Sequence, residues 1–468
     1  MPQPSHLLKQ RFAFEPTAGQ LKLFDLMDEF LNPNHPSEIL VLKGYAGTGK
    51  TSLIPALVEV LPLFNFKYLL MAPTGRAAKV MSGYTKRSAF TIHKIIFKQI
   101  ADPGSGLLKF SRLKNYNKHT VFVIDEASML SEDDNYGQDG VLSQLMNFVF
   151  EHPTNRLILI GDTAQLPPVG QEKSPALDRQ FIEHKFKRSA LEVELTEVMR
   201  QQQNSGILIN ATNLRAQLKA NAVNIQLETK QFKDVYRMTG EKLEDGLRYS
   251  YDKYGPENTM VVCRSNKSAL MFNNHIRMGL LYRQEEVEAG DHLMVVRNNY
   301  HYVPEDSPSG FLANGDYLWV KKLVNTEEVY GLRFATLEFQ LVDLPDAEPF
   351  EAKVILDTLH THAPALTPEQ NRGLYAAILE DYKDVTSKKL LNEKLREDPY
   401  LNALQIKYAY AVTCHKSQGG QWKSVFVDQG YITKEQINKE YIRWLYTAIT
   451  RASNELYLVN FNQMLFKN

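Results

Sequence analysis

Short runs of consecutive apolar residues recur along the first half of the chain, separated by stretches with helical spacing. The runs cover residues 39–42, 68–72, 121–124, 157–160 and 191–195. Strands that are apolar on both faces are typical of a parallel sheet covered by helices on each side. The pattern therefore predicts an α/β domain whose ligands bind beyond the carboxyl ends of the strands.

A second series of apolar runs predicts a second α/β sheet, interrupted by an insertion. Its runs cover residues 259–263, 408–413, 425–427 and 456–459. Between about residues 290 and 400 lie further runs at 291–296, 317–320, 337–342 and 352–356, with the hairpin signal Asn314-Gly315 among them. These runs predict a small antiparallel barrel. The capping pattern at residues 367–370 then opens a helical stretch of mixed charge up to about residue 397, which predicts a solvated helical projection.

Composition limits the class of protein and its location. The 468 residues include 54 Lys plus Arg and 54 Asp plus Glu, so a nucleic-acid site has to be a local groove and not a basic coat. The two cysteines, Cys263 and Cys414, favour neither a disulfide framework nor a zinc site. The sequence contains no apolar segment typical of a signal peptide or a membrane span, so we expect a soluble, cytoplasmic protein without membrane contact.

Residues 44–51 follow the first apolar run and read Gly-Tyr-Ala-Gly-Thr-Gly-Lys-Thr, which fits G-x-x-x-x-G-K-[ST]. A glycine-rich turn between a strand and a helix presents backbone N–H groups to phosphate oxygens. Lys50 supplies a cation, and the Thr51 hydroxyl supplies a ligand for Mg²⁺. The alternative is a chance match in a turn. Pro55 falls early in the following helix, where it is costly unless that helix starts late or bends.

Polar residues follow the later runs at the same predicted sheet edge. Asp125 can hold Mg²⁺, and Glu126 can orient or deprotonate the attacking water, although two carboxylates there can also simply end a strand. Gln165 and Arg200 are candidates for sensing the γ-phosphate, and each could instead be a solvated loop residue. Every apolar run thus delivers polar groups to the edge that carries the phosphate loop.

Gln20 has two readings that need the same local geometry. Thr17-Ala18-Gly19-Gln20 is a capping box, in which Gln20 returns a hydrogen bond to the Thr17 backbone. A glutamine just upstream of a phosphate loop can instead present its amide to the edge of an adenine.

Two further segments carry nucleic-acid chemistry. After a turn at residues 102–106, basic and aromatic residues alternate through Phe110 and Tyr116, which suits phosphate contact and base stacking or else a solvated loop. Thr413, His415, Lys416 and Ser417 follow a strand and offer hydroxyls, an imidazole and a cation to a phosphate backbone.

Arg451 lies at the end of a helical stretch. It could reach ATP across a domain cleft or satisfy the last carbonyls of its own helix.

In this order, the motifs resemble those of superfamily 1 helicases, specifically the 1B branch of RecD-like and phage Dda-like DNA helicases. The resemblance covers nearly the whole chain and rests on seven segments: residues 44–51, 73–78 with 91–93, 125–128, 161–169, 196–200, 413–420 and 446–451. It implies two RecA-like domains, residues 1–190 and residues 191–288 with 405–468. It also implies a strand-separating pin at about 94–119 and an SH3-like barrel at 289–404, with its projection at about 367–397.

The resemblance also implies roles for individual residues. Lys50, Thr51, Asp125, Glu126, Gln165, Arg200 and Arg451 would form the catalytic ATP site, with Mg²⁺ on Thr51 and Asp125. Gln20, Gly44, Ala46, Gly47, Thr48 and Gly49 would complete ATP binding, with Gln20 reading the adenine. Pro73, Thr74, His93, Thr413, His415, Lys416 and Ser417 would contact DNA, and Phe110 and Tyr116 would lie in the pin.

The implied activity is ATP-driven, 5′-to-3′ movement on single-stranded DNA with unwinding of forked duplexes. We expect a monomer that works in replication, repair or recombination, alongside partners such as single-stranded-DNA-binding proteins. One alternative uses the same ATP site, namely an ATP-gated DNA clamp or remodeller that separates no duplex. An RNA motor is a third reading, because the residues alone do not fix the sugar preference.

Overall fold

The computed structural model of the chain describes residues 3–101, 108–132, 140–198, 205–220, 223–303 and 311–467, with the backbone alone at 99–101 and 108–110. The first domain contains helices α1 (Pro4–Arg11), α2 (Ala18–Phe30), α3 (Lys50–Val60), α4 (Gly75–Thr85), α5 (Ile92–Ile96), α6 (Val141–Val149) and α7 (Arg179–Phe186). Its strands are β1 (Ile39–Gly44), β2 (Lys67–Ala72), β3 (Ala89–Thr91), β4 (Phe97–Ala101), β5 (Leu108–Arg112), β6 (Thr120–Ile124), β7 (Arg156–Gly161) and β8 (Ala190–Leu195).

Six of these strands form a parallel sheet in the order β3-β2-β6-β7-β1-β8. Leu40 and Leu42 of β1 pack against α1, α2 and α3, whereas Ile39 and Val41 pack on the opposite face with α6. The continuous apolar runs thus arise because both faces of the sheet are covered, which confirms the predicted fold class. The last strand, β8, extends this sheet beyond residue 190, the predicted end of the first domain.

A two-stranded excursion leaves the first sheet where an insertion was predicted at about 94–119. Strands β4 and β5 pair antiparallel, with Phe97 opposite Arg112 and Ala101 opposite Leu108. The turn residues 102–107 lie outside the described part of the chain.

The second domain begins with α8 (Gly206–Ala220), β9 (Val235–Met238), α9 (Leu243–Tyr254), β10 (Thr259–Cys263) and α10 (Asn266–His275). The chain then enters an inserted barrel made of β11 (His292–Val295), β12 (Tyr317–Val329), β13 (Leu332–Leu341) and β14 (Phe350–Ile355). After α11 (Asp357–His360), α12 (Pro368–Asp381) and α13 (Lys388–Glu397), strand β15 (Leu404–Tyr408) closes the barrel between β14 and β11.

Two details of the barrel correct the expectations from sequence. Asn314-Gly315 does not join two paired strands directly; it forms a turn that leads into β12, with Gly315 at φ +93°. The two-residue hairpin lies instead at Tyr330-Gly331, where both φ angles are positive, at +55° and +71°. The apolar run at 408–413 also belongs to two different strands. Its first residue, Tyr408, ends β15, so the barrel extends beyond residue 404, its predicted end.

The charged stretch after residue 367 forms two helices and not one. The predicted capping box opens α12, because the Thr367 side chain accepts from the Gln370 N–H and Gln370 returns a bond to Thr367. Leu374 and Ile378 of α12 and Leu395 of α13 pack on Leu332 and Phe334 of β13. The projection is therefore anchored to the barrel by a small apolar core of its own.

The chain finally returns to the second domain through β16 (Ala411–Thr413), α14 (Cys414–Ser417), β17 (Trp422–Asp428), α15 (Lys439–Ile449) and β18 (Ala452–Val459). The second sheet is parallel, in the order β16-β10-β17-β18-β9. Both sheets direct their carboxyl-terminal loops to the boundary between the domains, where α15 contacts the loops after β1 and β7. No described helix is long and apolar enough to cross a membrane.

Candidate nucleotide site and nucleic-acid groove

The loop after β1 forms a cradle shaped by its glycines, of a size and shape that suit a phosphate group. Gly47 and Gly49 have φ angles of +77° and +81°, which residues with a Cβ rarely adopt. A Cβ on Gly44 would lie 2.8 Å from Lys50 Cγ and 2.9 Å from Thr48 Oγ1. Helix α3 starts at Lys50 and contains Pro55, which leaves the Thr51 carbonyl without its helical N–H partner.

The Lys50 ammonium is held at the edge of this cradle. Its Nζ donates to the carbonyls of Gly44 at 2.6 Å and Tyr45 at 2.9 Å, and it lies 4.0 Å from Asp162 Oδ2. These contacts place a cation beside the backbone N–H groups of the loop. The geometry suits a phosphate anion.

Asp125 and Glu126 follow β6 directly and are held by their neighbours. Asp125 accepts from Tyr84 Oη at 3.0 Å and from the Glu126 N–H at 2.8 Å. Burial raises the pKa of both carboxyl groups, while the Arg451 and Lys50 cations oppose the rise at Glu126. A carboxylate with a raised pKa and cations nearby can accept a proton from water.

The hydroxyl of Thr51 and the carboxylate of Asp125 fit Mg²⁺, a hard cation that prefers oxygen ligands. Mg²⁺ usually keeps several waters and binds through one or two carboxylates together with phosphates. Among the described residues, no group of three or more His, Cys, Asp or Glu side chains could hold a metal ion. The available donor set therefore suits an ion that arrives with a nucleotide better than a permanently bound metal.

Gln20 makes both contacts of its capping box and one more. Its Oε1 accepts from the Thr17 N–H at 3.0 Å, and its Nε2 donates to the Thr48 carbonyl of the phosphate loop at 3.2 Å. The side chain is fully buried. Gln20 thus ties the start of α2 to the phosphate loop, and its predicted role in reading adenine stays a prediction.

Helix α15 of the second domain contacts the loop after β7 through three side chains. Tyr446 Oη donates to Asp162 Oδ2 at 2.6 Å and accepts from the Ala46 N–H at 2.9 Å. Thr447 Oγ1 accepts from the Leu166 N–H at 2.9 Å, and Arg443 donates to the Thr163 carbonyl. Sequence reasoning missed these roles, although Asp162 follows its strand just as Asp125 does.

Arg451 and Gln165 both lie buried near this junction. Arg451 donates to the carbonyls of Thr447 at 3.0 Å and Gly420 at 3.1 Å, within its own domain. Gln165 Oε1 is buried, with no hydrogen-bond partner among the described residues. Arg200, the other predicted γ-phosphate sensor, lies outside the described residues.

A groove with a volume of about 370 Å³ runs between the two domains and the barrel. It brings together the predicted residues Pro73, Thr74, His93, His415 and Lys416. The barrel adds Arg297 and Asn298, which no motif marks, and Asn314, which the sequence marked only as part of a hairpin signal.

The titratable groups of the groove are partly desolvated. Burial lowers the pKa of His93 to about 4, which keeps its imidazole neutral at physiological pH. Burial also lowers the pKa of Lys416 from 10.5 to about 8. Burial thus makes the charged form of Lys416 less stable than in water. A bound phosphate would stabilise that charged form.

Two predicted DNA contacts do not line this groove. Ser417 is fully buried and its hydroxyl donates to the Cys414 carbonyl at 2.8 Å, so its side chain faces the interior and the expectation is corrected. Thr413 borders a separate small cavity beside Lys407. Of the two pin candidates, Tyr116 is 80% exposed. For Phe110 the structure describes the backbone and not the side chain.

Arg76, at the start of α4, joins all three parts of the molecule. Its guanidinium carbon lies 4.2 Å from the ring centroid of Trp422 in the second domain and 4.8 Å from that of Tyr317 in the barrel. Nearby, Lys79 lies 3.5 Å from Asp316 and 3.7 Å from Asp343 of the barrel. The helix that borders the groove is thereby fixed to both neighbours.

Comparisons with known proteins agree with this architecture. The AAA domain family matches residues 26–235, and the UvrD-like helicase C-terminal domain family matches residues 408–459. The chain is 26% identical over 506 residues to an uncharacterised protein of Acanthamoeba polyphaga mimivirus, covering 92% of this chain and 96% of that protein.

Several relatives carry helicase names, RecD2 and Dda among them. The ATP-dependent RecD2 DNA helicase of Deinococcus radiodurans is 30% identical over 179 residues, covering 38% of this chain and 21% of RecD2. The ATP-dependent DNA helicase Dda of Enterobacteria phage T4 is 29% identical over 201 residues, covering 42% of each protein. Both matches thus span less than half of the named helicases.

A solved structure shares the fold. The Pif1 helicase from Bacteroides, crystallised with ADP-AlF3 and single-stranded DNA, has a TM-score of 0.50 and 16% identity, with 97% of this chain and 95% of that chain covered. The fold and the site together define a two-domain P-loop protein of the RecA type. In the order of its motifs and in these sequence matches, the chain is similar to the RecD- and Dda-like superfamily 1B helicases.

Proposed function

We propose that the chain is an ATP-dependent DNA helicase that moves 5′-to-3′ on single-stranded DNA and separates forked duplexes. One observation carries the proposal. Gln418 lines the groove, and its Nε2 donates at 2.8 Å to the carbonyl of Leu166, in the loop that also carries Asp162 and Gln165. A single side chain thus links the surface proposed for DNA to the loop proposed to sense nucleotide.

The ATPase chemistry follows from groups held at the phosphate loop. Backbone N–H groups of the loop and the Lys50 cation would bind the phosphates, and Glu126 would orient and deprotonate the attacking water. Mg²⁺ on Thr51 and Asp125 would neutralise charge on the phosphate oxygens. Arg451 and Gln165 would contact the transferred phosphoryl group, with Arg200 as a further candidate.

Movement requires that the two domains change their separation during hydrolysis. The bonds of Tyr446, Thr447 and Arg443 across the cleft belong to one arrangement of the domains. Loss of the γ-phosphate would weaken the contact with Arg451 and favour another arrangement. If the first and second domains hold DNA unequally in the two arrangements, each cycle moves the strand in one direction.

The direction of movement and the DNA partners rest on the relatives. RecD2 and Dda are named ATP-dependent DNA helicases, and the Pif1 structure holds single-stranded DNA and a nucleotide analogue. The 5′-to-3′ assignment follows the resemblance to the 1B branch. We further propose that a single chain is the working unit.

Unwinding of two forked DNA substrates tests the proposal. One substrate carries only a 5′ single-stranded tail and the other only a 3′ tail, with Lys50→Ala as the control for ATP dependence. We expect ATP-dependent unwinding of the 5′-tailed substrate and no unwinding by Lys50→Ala. Unwinding of the 3′-tailed substrate alone would contradict the direction, and DNA-stimulated hydrolysis without any unwinding would favour a clamp.

A further inference from the structure

A second cavity, of about 490 Å³, lies between the two domains, and none of the described catalytic candidates lines it. Thr163 and Ser174 of the first domain form one wall, and Arg215 of α8 and Arg443 of α15 form the other. The side chain of Tyr45, from the phosphate loop, also lines it. The cavity therefore adjoins the nucleotide site without belonging to it.

The lining of this cavity is strongly cationic. Six cationic side chains face two carboxylates, Asp178 and Glu192. Three of the cations have carboxylate partners: Lys43 with Glu192 at 2.7 Å, Lys219 with Glu194 at 3.3 Å and Arg179 with Glu183 at 3.0 Å. The remaining three, Lys173, Arg215 and Arg443, have no carboxylate within 4.0 Å among the described residues.

The two arginines without carboxylate partners are partly buried, which makes their charge costly. The Arg215 guanidinium lies 4.4 Å from the ring centroid of Tyr45. Arg443 donates to the carbonyls of Thr163 and Gln165, and burial lowers its pKa. Ser174 Oγ is buried in the same lining, with no partner among the described residues. An anion with several oxygen atoms would supply the missing partners.

We propose that this cavity binds a phosphate-bearing anion of nucleotide size, which stabilises the arrangement of the two domains seen here. Guanidinium groups pair with phosphate through two parallel hydrogen bonds, and the Ser174 hydroxyl can donate a further one. The volume lies in the usual range for small-molecule sites, and Leu177 and Leu218 offer an apolar wall to a base or sugar. Because the anion contacts both domains, its binding favours their association.

Isothermal titration of the full chain tests this proposal independently of DNA unwinding. The chain is first titrated with Mg-ADP, and two ADP per chain would identify a nucleotide as the occupant of the second cavity. If one ADP binds, the saturated protein is titrated with pyrophosphate, and we expect one further anion per chain. Sulfate at equal ionic strength serves as the control for a general salt effect.

Three variants assign the binding to the cavity. We expect binding of the second anion to weaken about tenfold or more in Arg215→Gln and in Lys173→Gln, because each loses a charged hydrogen bond. Arg396→Gln, on the exposed face of α13, is the matched control and retains wild-type affinity. The Lys173 side chain is exposed and makes no hydrogen bond or ion pair with the described residues, so its replacement should not affect folding. Lys173→Gln therefore tests the proposal even if Arg215→Gln fails to fold. Absence of saturable binding to the wild type, or equal affinity in Lys173→Gln, would overturn the proposal.

Discussion

The Tyr446 hydroxyl, in the second domain, donates a hydrogen bond of 2.6 Å to the Asp162 carboxylate of the first domain. The same oxygen accepts from the Ala46 N–H of the phosphate loop. Burial and the adjacent carboxylate raise the pKa of Tyr446, so the hydroxyl keeps its proton and donates at every physiological pH. One side chain therefore connects the second domain to two loops of the nucleotide site.

Tyr446→Phe should loosen the phosphate loop without unfolding the chain. The substitution removes both bonds and leaves Asp162 without one of its buried donors, at a cost of about 1–3 kcal/mol. We expect hydrogen exchange at residues 44–51 to speed up by about tenfold. Tyr441→Phe, on the same helix, loses only a bond with Gln429 inside the second domain and is the matched control. Unchanged exchange in Tyr446→Phe would show that the bond does not hold the loop.

Arg451→Ala should nearly abolish ATP hydrolysis. An arginine that stabilises the transferred phosphoryl group typically contributes a factor of about 10³ to 10⁵ to the rate. Because Arg451 also bonds to two carbonyls of its own domain, circular dichroism and DNA affinity have to be measured alongside the steady-state rate. Near-full DNA-stimulated hydrolysis by a folded variant would remove Arg451 from the site.

DNA affinity should fall as the pH rises from 7 to 9.5. The pKa of Lys416 is lowered to about 8, so the free protein loses this cation above that pH, whereas bound phosphate favours the charged form. Binding then requires proton uptake, and we expect a loss of affinity of about tenfold at pH 9.5. Fluorescence anisotropy of labelled single-stranded DNA, at constant ionic strength, measures this change in affinity. Lys416→Arg keeps its charge and should lose less, and equal pH profiles for the two proteins would contradict the assignment.

Replacing Phe110 and Tyr116 together by alanine should impair unwinding more than translocation. Tyr116 is exposed beside the β4-β5 excursion, where an aromatic ring could stack on a base at the fork. The comparison is between strand separation and the rate of displacing a protein block from single-stranded DNA. Tyr431→Ala removes another exposed tyrosine, 90% accessible, and should change neither rate. An equal loss in both assays would argue against a pin.

Sequence patterns located most strands because the two sheets are covered on both faces, which enforces continuous apolar runs. Strand β9 escaped notice because it is a short edge strand in which Tyr236 and Arg237 are exposed. The hairpin at Tyr330-Gly331 was missed because tyrosine is an uncommon residue at positive φ.

The candidate site was predictable where the residues that act together are neighbours in sequence, as in residues 44–51 or Asp125-Glu126. It was not predictable where the function depends on contacts between distant segments. Nothing in the sequence around Tyr446 indicates that its hydroxyl meets Ala46, 400 positions away. The same reason explains why the barrel residues of the groove and the burial of Ser417 emerged only from the structure.

The position of Arg76 against Trp422 gives the molecule an internal optical reporter. The two residues belong to different domains, and a cation over an indole ring alters its emission. Any separation of the domains moves the guanidinium away from this ring, so the intrinsic fluorescence should change with each nucleotide state. Trp319 and Trp444 complete the set of three tryptophans. Replacing those two by phenylalanine would leave one emitter, and stopped-flow fluorescence could then follow the opening of the cleft in an unlabelled enzyme.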